Sequence, residues 1–501
     1  MERESVVVIG GGIAGLTAAS LLAHEGLHVV LLEAHYQLGG CAGTFKRGKY
    51  LFDVGATQVA GLERGGIHER LFSYLNVSLP NAKLLDPTCV VDLADGSQPI
   101  NIWNDPTKWA LEREKHFPGS NRFWKLCYEL HQSNWEFNNR GPILPSRSNW
   151  DLIQLIKSIR LKNLFSGLLL SASIKDLMYL CNCNNDTRLK RFLDLQLKLY
   201  SQENTENTAA LYGATVLQIS QKPHGLWHIN GSMQELSNKL QDSFLRNKGK
   251  LLLGHKVTSV KASNKNHPWE INIIDKNNKQ SKLKSWDVVS SLPPQSLLGL
   301  MKENSGLPSN YRNHIKNLKE PNGAIVFYGA IERKFLSKDL ASHIQIATKS
   351  FGSLFISISQ EGDGRAPLGE ATIIASAFTS TAEWISLTQN IYNEKKKNIS
   401  KEIISILEDW LKIDPSHWLH KELATPKSFA FWTGRPNGIV GGLGQRPSNF
   451  GVFGLASRTP MKGLWLCGDS IHPGEGTAGA SQSALMACRQ IMSSRGRKLS
   501  I

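Results

Sequence analysis

The sequence predicts an α/β protein of two domains, a Rossmann-like dinucleotide-binding domain interleaved with a mixed sheet-plus-helix substrate domain. Three observations carry that reading. The chain opens on an apolar run that passes through Gly10-x-Gly12-x-x-Gly15 into an alanine-rich helix. A second apolar run, His28–Leu32, ends at the acidic Glu33 and completes a βαβ unit. Near the other end, Leu464–Cys467 runs into Gly468-Asp469 and a glycine-rich loop. With 501 residues the chain can hold two domains around a shared core.

The first strand, Val6-Val7-Val8-Ile9, is β-branched throughout and suits burial on both faces. Gly10 allows the tight turn, Gly12 lets backbone approach a pyrophosphate, and Gly15 lets the helix pack on the strand. Ile13 and Ala14 open that helix, where unpaired N–H groups and the dipole favour phosphate. Glu33 can accept a ribose 2′-OH, whereas a 2′-phosphate would want a cation there. The paired glycines Gly39-Gly40 let a second backbone segment approach the dinucleotide, and Thr44 adds a hydroxyl.

The first part of the dinucleotide domain ends near residue 61, and residues 62–225 turn aromatic, basic and helical. Within them Leu152–Leu170 reads as an amphipathic helix with Lys157, Arg160 and Lys162 beside its apolar side. Its periodicity suits either a bilayer interface or an ordinary core-facing helix. Residues 226–294 return to the first domain, with Ser232 and Glu235 as a capping box and Leu251–Val260 as a strand. A hairpin over Trp269–Leu283 and a short strand stopped by Pro293-Pro294 follow. Residues 295–430 form the second part of the substrate domain, with strands at Ala324–Gly329 and Thr372–Ala377 and a helix near Asn398–Leu411. Residues 431–501 close the dinucleotide domain.

The C-terminal half-site selects the cofactor. Asp469, after Gly468, can hold a ribityl hydroxyl, and the N–H groups near Gly476, Thr477 and Ala478 can face the pyrimidine edge of an isoalloxazine. A nicotinamide enzyme has no use for this half-site, so the expected cofactor is FAD. A second strand–GxGxxG–helix unit is missing from the sequence, which argues against an NAD(P)H domain.

Charge and cysteines bound the partners. The balance of 58 basic and 42 acidic residues is +16. With no zinc-finger spacing and no glycine-aromatic RNA motif, nucleic acid is excluded in favour of an anionic membrane surface. Seven scattered cysteines without C-x-x-C fit free thiols in a reducing compartment. Cys181 and Cys183 lack further ligands at zinc spacing, so no metal is expected. A strand within the first few residues leaves no room for a signal or transit peptide. No apolar run approaches the ~18 residues needed to span a bilayer. Peripheral association with the cytoplasmic side of a membrane is therefore expected.

The order of the dinucleotide fingerprint, Gly39-Gly40 and Phe52-Asp53-x-Gly55 resembles the flavin-dependent amine oxidase and phytoene desaturase superfamily. One departure is Gln37, where many members carry an Arg. Phe431–Gly438, Phe453–Pro460 and Pro473-Gly474-x-Gly476 resemble its carotenoid desaturase and isomerase branch, nearest to the cyanobacterial type of C-3′,4′ carotenoid desaturase. The resemblance implies that Val257 presents its backbone to the adenine. It also offers Trp432 and Arg435 as substrate contacts, although core packing with a surface charge reads equally well. Cys467 reads as a buried strand residue rather than a flavin attachment site.

The activity implied is removal of a hydride and a proton from a C–C single bond beside a long polyene, with a quinone or oxygen as electron acceptor. The polyene itself spreads the charge, so a dry tunnel and accurate placement suffice, and no catalytic base is nominated. Alternatives are a carotenoid cis–trans isomerase using reduced FAD, an amine oxidase and a flavin-free lipid escort protein.

Overall fold

The computed structural model describes residues 5–262 and 269–501. Five parallel strands form the dinucleotide sheet: β1 (Ser5–Ile9), β2 (His28–Glu33), β3 (Lys250–Leu253), β4 (Asp287–Ser290) and β5 (Leu464–Leu466). Their order is β3-β2-β1-β4-β5, so segments from the start, middle and end of the chain meet in one sheet. Val6–Ile9 are buried, as a central strand covered on both faces requires. One face packs on α1 (Ile13–His24), α2 (Gln234–Arg246) and α3 (Gly476–Ser494). The other packs on an antiparallel sheet of Lys256–Ala262, Trp269–Ile274 and Gln280–Ser285.

The returning strand expected over Leu251–Val260 is two strands. Gly254, at φ +66°, turns the chain out of the parallel sheet, and Val257 lies beyond that turn, paired with Ile273. The capping box expected at Ser232 and Glu235 does not form. The helix starts at Gln234 without a side-chain cap, and the buried Asp53 accepts the Met233 N–H at 2.9 Å. A carboxylate from a distant strand thus takes a donor at that helix start, and sequence spacing cannot reveal it.

The substrate domain is built on seven strands, in spatial order Trp418–Ala424, Gly323–Glu332, Glu370–Thr379, Gly352–Ile358, His343–Thr348, Cys89–Asp92 and Ile100–Ile102. Five come from residues 295–430 and two from residues 62–225. The helix expected near Asn398–Leu411 spans Gln389–Leu411 and packs on this sheet through Ile403, Leu407 and Leu411.

The single helix expected over Leu152–Leu170 breaks into Asn149–Ser158 and Lys162–Leu168. Ile159 is extended, and the Arg140 side chain donates to the Ser158 carbonyl at 2.6 Å, ending the first helix. A core-facing role is excluded by exposure: Leu161 and Leu168 are more than 80% accessible, and Leu152, Ile153, Ile156, Leu164 and Phe165 are also exposed. Among the described residues, no helix is long and apolar enough to cross a membrane.

Candidate functional site

The three pieces of the dinucleotide domain converge on one cavity of about 770 Å³. At one end its wall is the turn between β1 and α1, the paired-glycine segment and the start of α3. Gly10, Gly12, Ile13, Ala14, Glu33, Gly39, Gly40, Gly468, Asp469, Gly476, Thr477 and Ala478 all line it.

The fingerprint glycines have three distinct tasks. Gly10 has φ +96°, the left-handed region that favours glycine. A Cβ on Gly15 would sit 1.9 Å from the Gly10 carbonyl oxygen, so that position serves helix packing. A Cβ on Gly12 would meet nothing within 4 Å, and Gly12 itself is extended at φ −70°. The need at Gly12 is therefore room on the cavity side.

Both α1 and α3 start without a side-chain cap. Their first N–H groups lack the capping partner such termini usually carry, and the residues bearing them line the cavity. Two uncapped helix starts, an open cradle at Gly12 and a second at Gly476 fit the pyrophosphate and flavin portions of FAD. Thr17 and Ser481 hydroxyls meet at 3.3 Å and tie the two helices together.

Glu33 braces the turns around it. Oε2 accepts the Gly11 N–H at 2.6 Å and Oε1 accepts the His35 N–H at 2.8 Å, leaving lone pairs for a ribose hydroxyl. The paired glycines join the same frame, since Gly39 N–H donates to the Gly11 carbonyl at 2.9 Å. Gln37, in the place of the usual Arg, spends its amide on the Thr44 carbonyl and Gln234.

The remaining expected contacts sit in different surroundings. The Thr44 hydroxyl donates to Asp53 at 2.9 Å, so it holds a buried carboxylate, while Thr44 itself remains in the cavity wall. Val257 is buried in the core and is not part of the cavity wall. Trp432 is half exposed and packs edge-on against His35, two residues from Glu33, so it stands at the nucleoside end of the groove.

Arg435 is neither a surface charge nor part of the apolar wall. Its guanidinium donates to Asp469 at 2.8 Å and to the Gly441 carbonyl, and lies 3.9 Å from the Cys41 sulfur. Burial opposes its charge, yet Asp469 and Cys41 hold it above the ordinary arginine value. Its Nε has no partner. This brings a cation beside the paired glycines from a distant segment.

Beyond Asp469 the cavity turns apolar, walled by Leu211, Tyr212, Ile219, Phe355, Phe378 and Phe450. Three polar groups here were not singled out from sequence. His472 is pushed down to about 4 by burial and so stays neutral. Gln202 donates to Glu475, the residue immediately before α3. Burial, and next the charge of Asp469, push the Glu475 carboxyl well above the usual glutamate range. An acid inside a Pro-Gly-x-Gly loop was a visible signal; Gln202, 273 residues away, had none.

The chain belongs to the flavin containing amine oxidoreductase family, whose model matches residues 13–492. It is an FAD-dependent oxidoreductase. Prolycopene isomerase 1, chloroplastic, of an Oncidium hybrid cultivar is 24% identical over 99% of this chain and 85% of its own length. The carotenoid 3,4-desaturase of Haloarcula japonica is 32% identical over 27% of this chain and 27% of its own. Putrescine oxidase bound to putrescine shares the fold, with a TM-score of 0.66 at 15% identity over 99% of this chain and all of that one.

Proposed function

We propose that the protein acts on a long apolar polyene of the carotenoid class, and that its reaction is desaturation of a C–C single bond beside the conjugated system, of the C-3′,4′ type. The observation that carries this reading is the continuity of the cavity. One space runs from the phosphate cradle at Gly12 to a wall of Leu, Ile, Phe and Tyr side chains. Such a wall excludes water and recognises length and flatness rather than charge. FAD, when bound, supplies the two-electron chemistry. The protein's own part is to align one bond of the substrate at the Asp469–Ala478 rim and to keep the surroundings dry.

Cis–trans isomerisation is the second reading. It is favoured by the likeness to prolycopene isomerases along 99% of this chain and by a carboxyl in the cavity wall that burial pushes above the usual glutamate range. A panel of acyclic and monocyclic carotenoids, with product mass and absorption measured, separates the two. Loss of hydrogen supports desaturation, unchanged mass with a shifted spectrum supports isomerisation, and no conversion of any member refutes both.

A water-insoluble substrate must come from a bilayer, and the exposed apolar face over Leu152–Leu168 is proposed as the docking surface on anionic lipid. Lys157, Arg160 and Lys162 sit within it, and the same segment continues to Leu170 in the cavity wall. Each cation near the surface contributes about 1 kcal/mol of attraction. Changing all three to Glu is expected to abolish flotation with anionic liposomes at physiological salt. A folded, FAD-bearing variant that floats like the parent would remove this segment as the docking site.

A further inference from the structure

Glu475 lines the cavity, and its surroundings are specific. It immediately precedes α3 but does not cap it. Its Oε1 accepts the Gly442 N–H at 2.9 Å and an N–H from Gln202. Gln202 is itself locked: its Nε2 also donates to the Val440 and Gly442 carbonyls, each at 3.0 Å, and its Oε1 accepts two N–H groups of Asn322 at 2.9 and 3.0 Å.

Among the described residues no salt bridge reaches this carboxyl, although the charges of Arg435 and Lys198 lie close enough to act on it. Arg435 is committed to Asp469 at 2.8 Å. Lys198 donates to the Gln202 carbonyl at 2.9 Å. Tyr212 donates its hydroxyl to the Tyr200 carbonyl at 2.7 Å. Glu475 lines the cavity between the Asp469–Arg435 pair on the cofactor side and the Tyr212–Phe450 wall on the apolar side.

We propose that Glu475, positioned by Gln202, is the acid–base residue of a double-bond isomerisation, lending a proton to one carbon of the bound polyene and taking it back. The inference rests on the isomerisation reading given above. In the forward step the carboxyl O–H bond breaks and a C–H bond forms at one end of a double bond. The positive charge spreads along the conjugated chain, and the former double bond, now single, rotates. The carboxylate then recovers a proton from the same carbon and the double bond re-forms. Electrons are neither gained nor lost over the cycle. Burial favours the protonated form that the first step needs, and the carboxylate left behind faces the cation it has made.

Three measurements on the FAD-bearing protein test this. The parent is expected to show the infrared C=O band of a protonated carboxyl at pH 7, absent from Glu475→Gln; a parent without that band overturns the proposal. With reduced enzyme and a poly-cis carotenoid, Glu475→Gln is expected to keep FAD yet isomerise at least ~100-fold more slowly, with Glu475→Asp between the two. Isomerisation by Glu475→Gln within a few-fold of the parent overturns the role of Glu475 alone. A parent that desaturates but never isomerises overturns the isomerisation reading, and the role with it. Should Glu475→Gln purify without FAD, the parent decides: its isomerisation must slow in D₂O, and an unchanged rate overturns the proposal.

Discussion

Two buried polar clusters in this protein handle their charges in opposite ways. At the first, Arg365 donates to Asp53 at 3.0 and 2.8 Å, to Asp363 at 3.1 Å and to the Ile229 carbonyl at 2.8 Å. His228 meets Asp363 at 2.8 Å, and Asp53 accepts from Thr44 and Met233. Burial works against the Asp363 carboxylate, but His228 and Arg365 hold it below its usual value. At the second, by the cavity, Arg435 pairs with Asp469, and Glu475 is driven towards its neutral form. Similar side chains, similarly withdrawn from water, are pushed in opposite directions: in the closed set the carboxylates meet Arg365 and His228 at ion-pair distance, whereas Glu475 has no salt bridge among the described residues and faces a space built for a ligand. The closed set fastens segments 44–53, 228–233 and 360–365; the open one leaves capacity for chemistry.

The largest expected effect breaks the closed cluster. Arg365→Ala would leave Asp53 and Asp363 buried without their cation. A loss of about 3–5 kcal/mol in denaturant unfolding is expected, because a buried charge stripped of its partner keeps its desolvation cost. A loss below about 1 kcal/mol would show that the cluster is not a fastener.

The same contrast explains what could be read from sequence. Contiguous signals were legible: the β1–α1 turn, Glu33, the paired glycines and the Gly468–Ala478 loop depend on neighbouring residues, and the structure gathers them at one cavity end. Features set by tertiary partners were not. Nothing near Met233 announces that Asp53 will take its N–H, and nothing near Ser158 announces that Arg140 will end its helix. For Arg435 a local motif leaves substrate contact and a surface charge equally open, and its place in the cavity wall is decided by Asp469 and Cys41. Leu152–Leu170 shows the limit of periodicity: it marks an apolar face and cannot say whether that face is covered.

A middle-sized effect is expected at the cofactor end of the open region. Glu33→Ala removes the acceptor of two backbone N–H groups, at Gly11 and His35, and with it the lone pairs proposed for a ribose hydroxyl. FAD affinity should fall by about 1–3 kcal/mol, roughly 5- to 150-fold, in a fluorescence titration of the apoprotein. Unfolding of the apoprotein should change far less than in Arg365→Ala. An affinity equal to the parent's would mean that Glu33 does not face the nucleoside.

The smallest effect sharpens the contrast through pH. Glu475 has a folded pKa raised above its unfolded value, chiefly by burial and secondly by Asp469. Between those two values the native state binds more protons than the unfolded chain, so this group's contribution favours folding below the ordinary glutamate value and is lost as pH rises towards the folded one. Asp363 runs the other way: its folded pKa is depressed, so its contribution is present above the ordinary aspartate value and lost as pH falls through the lower folded one. Glu475→Gln keeps the shape and removes the proton linkage. Subtracting its unfolding free energy from the parent's at each pH should leave a difference that declines upward from the glutamate range by at most about 1.4 kcal/mol per pH unit. The corresponding difference for Asp363→Asn should rise with pH through the acid range below the ordinary aspartate value. Parallel pH profiles for the parent and Glu475→Gln would show that the carboxyl is already ionised in the folded protein, and the two clusters would then hold their protons alike.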